Sequence, residues 1–515
     1  MDGHCLRETT NARRLASKPF AETAGTPETP RALVVSSVYA PGEMSQRIGR
    51  EAYSYRFVFD AFAPLLRRWG SVSEVTQAES RLDYALWRER RQGLAPLHLS
   101  FLPLHMTYLS RRAPNVAFPF WEFPDIPNQA FDNNLRNNWV HIADQLDLIL
   151  TACTFTRDAF LRAGVKTPVR VVPVPIPQDY FAVPAWAGDQ RRVIDSPCYV
   201  FPQPAGPVPA EGNPWLPTKF SGLSLKGRTR FIYKSYIAPR LPPRLDKCVL
   251  AVARSARDLL KARVEEVHIP FQRSPQLELS GVVYTSILNP FDPRKNWEDL
   301  LSAFLLALGD HEDATLVVKL VVPPQLAAAM VNAILHHYHR LGIPHRCKLA
   351  FLTGYLSETQ MVELACGSTF YVNSARAEGS CLPLQSFLAA GRPGLAPVHT
   401  AMADYFSQEL GFVVDSHPEP TCWPHDPHKK ITTRWQRLVW QSLHDQFRTS
   451  YEVARHDRKL YQAMARRGAE HMADYASAER VWPKLAVALD AVAEDTDAAV
   501  KNKTLRTQAK QRLAS

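Results

Sequence analysis

The segment Phe370-Tyr-Val-Asn-Ser-Ala-Arg-Ala-Glu-Gly-Ser-Cys-Leu-Pro-Leu-Gln-Ser-Phe-Leu-Ala-Ala-Gly-Arg-Pro393 reads as an apolar strand, a loop of small residues, a helix and the start of another strand. Pro383 suits the first turn of that helix, where a missing N–H is no loss, and Gly391 stops it. The loop around Glu378 and Gly379 therefore brings unpaired backbone N–H groups and the positive end of a helix dipole to the top of a strand. Such a loop suits a phosphate or diphosphate, and Gly379 lets a ligand come close to the backbone.

Upstream, Gly281 to Leu288 is a strand, followed by Asp292-Pro-Arg-Lys-Asn296 and a helix expected over Trp297 to Leu308. Leu301, Phe304, Leu305 and Leu308 fall on one face of it, Glu298 and Asp299 suit its positive end, and Asn296 is placed to cap it. Arg294 and Lys295 then lie at the carboxyl end of one strand, and Lys319 lies within the next, Ala314 to Val321. These cations suit a diphosphate without a metal.

The same alternation runs through residues 31 to 180. Ala32 to Ser37 is a strand ending in Tyr39-Ala-Pro-Gly42, and helical spacing runs from Arg47 to Trp69 and stops at Gly70. Leu97–Leu102, Asn115–Phe118, Leu146–Cys153 and Val169–Val174 are further strands, with a helix over Arg157 to Arg162 that ends at Gly164. Strands alternating with helices predict an α/β fold: two Rossmann-like domains facing across a cleft, with ligands at the carboxyl ends of the strands. The expected division is a flexible arm over 1–30, a first α/β domain over 31–188, a linker over 189–279, a second α/β domain over 280–485 and a basic tail over 486–515. The linker is Pro-rich from Pro202 to Pro217, with a helix expected near Val249 to Ala262.

Composition narrows the function. Of 515 residues, 46% are hydrophobic and 22% charged, which excludes a disordered chain. The longest apolar stretch, Leu316 to Met330, is interrupted by Lys319, Pro323 and Pro324, so no membrane span is expected. The first thirty residues lack the apolar core of an export signal, which makes the cytoplasm the expected compartment. Eight scattered cysteines form no CxxC pair, so neither a zinc cluster nor a disulfide framework is expected, and most should be small buried hydrophobes. A formal charge of +11 favours an anionic ligand or surface without choosing between them. The basic residues are not gathered into an aromatic-interleaved patch, which argues against a nucleic-acid partner.

The sequence at this point resembles family 4 of the GT-B glycosyltransferases. The strongest carrier is the Ser-x-x-x-Glu-Gly-x-x-Leu-Pro…Ala-x-Gly-x-Pro pattern from Ser374 to Pro393. Next is Arg294-Lys295-Asn296 with Leu300, Ala303 and Phe304; the weakest is Thr151 to Gly164 with Val172-Pro-Val-Pro. The resemblance implies a metal-independent, retaining sugar transfer from a nucleotide-diphosphate donor, used as co-substrate with no further cofactor, to a glycan or lipid-linked acceptor. It implies that Arg294 and Lys295 hold the diphosphate, that Glu378 contacts the donor sugar, and that Ser374, Gly379, Ser380, Cys381 and Leu382 line the donor site with Lys319. The family's second Glu falls where this chain has Ser386, preceded by Gln385. A catalytically impaired binding or scaffold protein is therefore the alternative.

On the acceptor side, Gly42 occupies the family's glycine-rich loop. His98 and His105 flank a strand end and either orient a sugar or are satisfied core residues. Trp121 and Glu122 follow a strand, where the indole either stacks on a sugar or packs. The basic tail suits peripheral contact with an anionic bilayer. As a loop acid, Glu378 is expected to be replaceable by alanine without loss of fold.

Overall fold

The first α/β unit is built on six parallel strands: β1 (Arg31–Ser36), β2 (Ser71–Val75), β3 (Ala95–Ser100), β4 (Asn115–Ala117), β5 (Leu148–Thr151) and β6 (Val169–Val171). Their order is β2-β1-β3-β4-β5-β6, so the chain changes direction across the sheet between β1 and β3. The computed structural model describes residues 30–188, 191–201, 273–424, 426, 429 and 431–494. The apolar run Ala32 to Val35 is fully buried, as expected of a strand covered on both faces. The helix Tyr53–Trp69 lays Val58, Phe59, Phe62 and Leu66 on that sheet at helical spacing.

Short strands β7 (Arg192–Ile194), β8 (Cys198–Phe201), β9 (Arg273–Ser274) and β10 (Leu277–Leu279) lead into the second unit. Its main strands are β11 (Val282–Leu288), β12 (Ala314–Leu320), β13 (Lys348–Leu352), β14 (Phe370–Val372), β15 (Gly394–Ala396) and β16 (Gly411–Val413). The eight-stranded order is β16-β15-β14-β11-β12-β13-β8-β9, and the six main strands are parallel. Strand order reverses between β11 and β14. A ribbon of β17 (Ser416–Cys422) and β18 (Thr432–Leu438) follows, then the helices Trp440–His456 and Arg458–Ala476.

Several expectations change. The segment read as one helix from Arg47 breaks: Met44–Arg47 is a single turn, and the long helix begins at Tyr53. Gly49 sits at φ +72°, where a Cβ would meet the Val321 carbonyl of the second unit at 2.7 Å, so contact between the units sets the break. Asn296 adopts a left-handed conformation and makes no side-chain cap; its Oδ1 instead accepts from Arg376 at 3.1 Å. The stretch expected to be linker supplies β8 and β9 to the second sheet, because β13 leaves an edge that they cover antiparallel. Its Pro-rich part and the helix expected near Val249 to Ala262 lie outside the described residues, as do the arm over 1–29 and the tail from 495. The final helix, 478–494, returns to the first unit, burying Val481, Leu485, Ala488 and Leu489 beside Leu33 and Phe62, so the expected boundary at 485 cuts through it. Cys153, Cys198, Cys347, Cys366 and Cys381 are buried and Cys422 is half-buried, whereas Cys5 and Cys248 fall outside the described residues.

His98 is fully buried, with Nε2 2.8 Å from the Ser36 hydroxyl and Nδ1 3.0 Å from Asn115 Oδ1, so it ties β1, β3 and β4 together and contacts no ligand surface. Burial pushes its pKa down to about 4, with the Asn115 bond opposing. The unfolded chain therefore binds a proton between pH 6.5 and 4 that the folded chain refuses. Stability is complete above pH 6.5 and falls by roughly 3 kcal/mol as the pH drops through that window. Urea midpoints at pH 7 and pH 4.5 should show the loss, and it should shrink in His98→Gln; an unchanged loss in that variant would place the acid lability elsewhere.

Candidate active site

The reversal between β11 and β14 places two loops side by side at the carboxyl ends of those strands, where open α/β sheets form a ligand crevice. One loop carries Asp292, Arg294 and Lys295; the other carries Asn373 to Cys381. Ser374 Oγ donates to the Lys295 carbonyl at 2.9 Å, and Arg376 N donates to the Arg294 carbonyl at 2.7 Å. Residues 83 apart in sequence are thereby joined: Lys295 Nζ lies 2.6 Å from Glu378 Oε1. Asn373 Nδ2 lies 3.2 Å from the same oxygen and 2.8 Å from Cys381 Sγ.

Arg294 has two carboxylate partners. Asp292 accepts from its Nε at 3.1 Å and its Nη2 at 2.5 Å, and Glu122 of the first unit lies 2.9 Å from Nη1. The Ala377 carbonyl also accepts from Nη1, at 3.2 Å. Burial works against the charge of Arg294, but Glu122, Asp292 and Glu378 more than offset it and hold it protonated. Lys295 is treated likewise, with burial opposed by Glu378. Burial raises the Asp292 pKa, and Arg294 and Lys295 reverse that and lower it. Asp292, Glu122 and Glu378 thus set three carboxylates against two cations. A diphosphate gains the full attraction of Arg294 only when it replaces a carboxylate.

Gly379 and Leu382 meet the first unit. A Cβ at Gly379 would lie 3.4 Å from Phe120 Cβ and 3.5 Å from Trp121 N, and Leu382 packs against the core containing Phe118. Ser380 is buried against Gln385, whose Nε2 lies 3.1 Å from the Ser380 carbonyl. Cys381 holds the left-handed position before the helix Leu382–Ala389; burial, then Glu378, push its thiol up to about 12, so it is not a thiolate. Asp404, beyond β15, accepts from Thr154 N at 2.7 Å and from the Thr154 hydroxyl, which caps the helix Thr154–Arg162 across the units.

Other expected residues lie elsewhere or act differently. Lys319 is buried and donates to the Leu320 carbonyl at 3.0 Å, and burial pulls its pKa down to about 7; its contact is with backbone. Half-buried Ser386 lies beside the buried Tyr180 hydroxyl and favours its ionised form against the larger, opposing effect of burial. Gly42 has open space around its Cβ position. His105 pairs with Glu51 at 2.9 Å and stacks on Trp139. Trp121 is buried between Trp139 and Trp423 and donates to the Asp125 carbonyl, so its rings are used in packing.

Asp292 and Glu122 stand in segments that the sequence singles out; Asp292 reaches Arg294 from two residues away, whereas the approach of Glu122 has no local signal because it joins two units. Asn373, His399, Thr400 and Asp404 are also at the site, and only their nearness to β14 and β15 in sequence hints at it. Among the described residues, no three His, Cys, Asp or Glu side chains are grouped as metal ligands, and no helix is long and apolar enough to cross a membrane.

No protein-family model matches the chain, and no curated protein matches it. Solved structures with a similar course include Anabaena HepE in complex with UDP-glucose, at 11% identity over 90% of this chain and 99% of that one, with a TM-score of 0.47. Sucrose-phosphate synthase from Thermosynechococcus elongatus aligns at 12% identity over 91% and 100%, with a TM-score of 0.48. The α,α-trehalose 6-phosphate synthase of Burkholderia multivorans aligns at 12% over 92% and 100%, with a TM-score of 0.45.

Proposed function

We propose that this chain is a glycosyltransferase that moves a sugar, with retention, from a nucleotide-diphosphate donor to a hydroxyl of a glycan or lipid-linked acceptor. The observation that carries this reading is the Lys295–Glu378 pair beside Arg294 at the strand-order reversal of the second unit, facing the first unit. In the reaction the bond between the sugar and the diphosphate breaks, the diphosphate keeps the bonding pair, and the acceptor oxygen bonds the same sugar carbon while its proton passes to the departing diphosphate. Arg294 and Lys295 stabilise that charge, and fixed cations in a closed site do so without reorganisation. Glu378 orients the donor sugar.

Donor entry exchanges Glu122 for phosphate on Arg294. Glu122→Gln should therefore tighten binding of nucleoside diphosphates by about tenfold, since a neutral amide competes less well for the guanidinium. Calorimetric titration with UDP, GDP and ADP checks this, and unchanged affinity would mean that Arg294 does not receive the phosphates. Arg294→Ala with Lys295→Ala should weaken nucleotide-diphosphate binding far more than nucleoside binding, and equal losses would move the phosphate site.

The second reading, a binding or scaffold protein without turnover, is favoured by Ser386, which faces Tyr180, and by the carboxylates already seated on Arg294. Melting temperatures with UDP, GDP, ADP, TDP and their sugar conjugates separate the two, because a ligand of the native state must raise the transition. No shift with any of them at millimolar concentration selects the scaffold. Cytoplasmic placement and peripheral contact with an anionic bilayer complete the proposal; failure to bind anionic vesicles at physiological salt would remove the latter.

A further inference from the structure

The loop after β15, Pro397 to Asp404, holds a group that the roles above leave unused. Thr400 adopts φ +48°, a strained choice for a β-branched residue. The conformation clasps the backbone of one residue: Glu378 N donates to Thr400 Oγ1 at 3.1 Å, and the Glu378 carbonyl accepts from Ala401 N at 3.2 Å. The preceding residue, His399, is 7% exposed, and its Nδ1 lies 3.1 Å from Thr400 Oγ1.

These contacts assign the ring's tautomer. Thr400 Oγ1 accepts the Glu378 N–H, and donation of its own proton to Nδ1 leaves only Nε2–H unpaired, whereas a proton on Nδ1 would leave both the hydroxyl proton and Nε2 without a partner, so the imidazole proton is assigned to Nε2. Nε2 is buried and has no hydrogen-bond partner. The carbonyls of His399 itself and of Ala375 favour a proton on the ring, yet neither meets bonding geometry at Nε2. Burial holds the ring neutral at physiological pH, with its pKa pushed down to about 4. A buried donor left unpaired carries a penalty that an incoming acceptor would remove.

We propose that His399 is a donor-sugar contact: the Thr400 hydroxyl fixes Nδ1, and Nε2–H is reserved for an uncharged oxygen of the sugar on the nucleotide diphosphate. This rests on the reading of the site as a sugar-nucleotide site. A neutral N–H suits a hydroxyl rather than a phosphate, and Arg294 and Lys295 already supply the charge that phosphates need. The same hydroxyl that fixes His399 also fixes the backbone of Glu378, so one strained residue sets two sugar contacts.

The test compares His399→Phe, which removes the donor, with His399→Gln, whose amide nitrogen reaches a similar position. UDP-glucose, GDP-mannose and ADP-glucose are each titrated beside the free nucleotide, and KM and kcat are measured for any that react. His399→Phe should weaken the sugar nucleotide about 10- to 100-fold while leaving the free nucleotide within about twofold, and His399→Gln should recover most of the loss. Equal weakening of nucleotide and sugar nucleotide, or a Gln variant no better than Phe, would make His399 a packing residue and overturn the proposal. If wild type binds no nucleotide at all, the site reading fails and this one with it. Binding by wild type that His399→Phe leaves unaltered rejects this inference alone.

Discussion

If the chain transfers sugars as proposed, Glu378→Gln should lower that turnover by a factor of about a thousand or more, because an amide cannot supply the carboxylate charge that a developing sugar cation requires. It should also destabilise the fold. Glu378 is 7% exposed and bonded to Lys295, whose side chain is 18% exposed, so it is not the replaceable loop acid that its sequence context suggests. Breaking a largely buried pair by neutralising one partner costs about 3 kcal/mol. Lys295→Met in the same chain should recover much of that stability, since it removes the buried ammonium left without its carboxylate, while transfer stays lost. Urea midpoints and turnover of the two variants thus separate structural from chemical roles. Glu378→Gln with wild-type turnover would remove Glu378 from the reaction, and no recovery in the double variant would mean that Lys295 is held by other carboxylates.

What the sequence disclosed and what it hid follow from the range of the interactions. The strands and helices around 281–321 and 370–396 are set by local apolar spacing, by Pro383 and by Gly391, so they were legible; that Arg294, Lys295 and Glu378 share one site was implied by the family resemblance alone. The same reading placed Asn296 as a cap because it sees residue type and not φ; the left-handed turn that zips 294–295 to 374–376 required an Asn for another reason. A His on an apolar run is more often a core residue than a ligand contact, so His98 favoured the core without excluding the acceptor role, and Ser36 and Asn115 on neighbouring strands decide it. The second carboxylate on Arg294 was hidden for a stronger reason. Glu122 belongs to the other unit, and no periodicity within either unit reports where the two surfaces meet.

Arg392 is a sharper case, since it fills a variable position of the motif that carried the resemblance. Its side chain is completely buried and makes five hydrogen bonds, all to backbone carbonyls: Ala365, Cys366, Ala390, Gly391 and Pro184. Ala365 and Cys366 belong to the last turn of the helix Glu358–Gly367, and Ala390 and Gly391 follow the helix Leu382–Ala389. Carbonyls at a helix C-terminus are unpaired and carry the negative end of the dipole, so two helix ends converge on one cation in place of a carboxylate. Burial lowers the guanidinium pKa, but an arginine begins far enough above neutrality to remain charged. Arg392→Met should therefore leave the carbonyls without donors and lower stability by about 4 kcal/mol or more. Arg392→Lys should recover little, because a single ammonium cannot reach carbonyls arranged around a planar fork. Since Cys381 precedes the helix Leu382–Ala389 in the loop proposed to meet the donor, any nucleotide binding should weaken with stability in both variants. Urea unfolding of soluble protein reads the effect; a methionine variant with a midpoint near wild type would show that the two helix ends close without their shared cation.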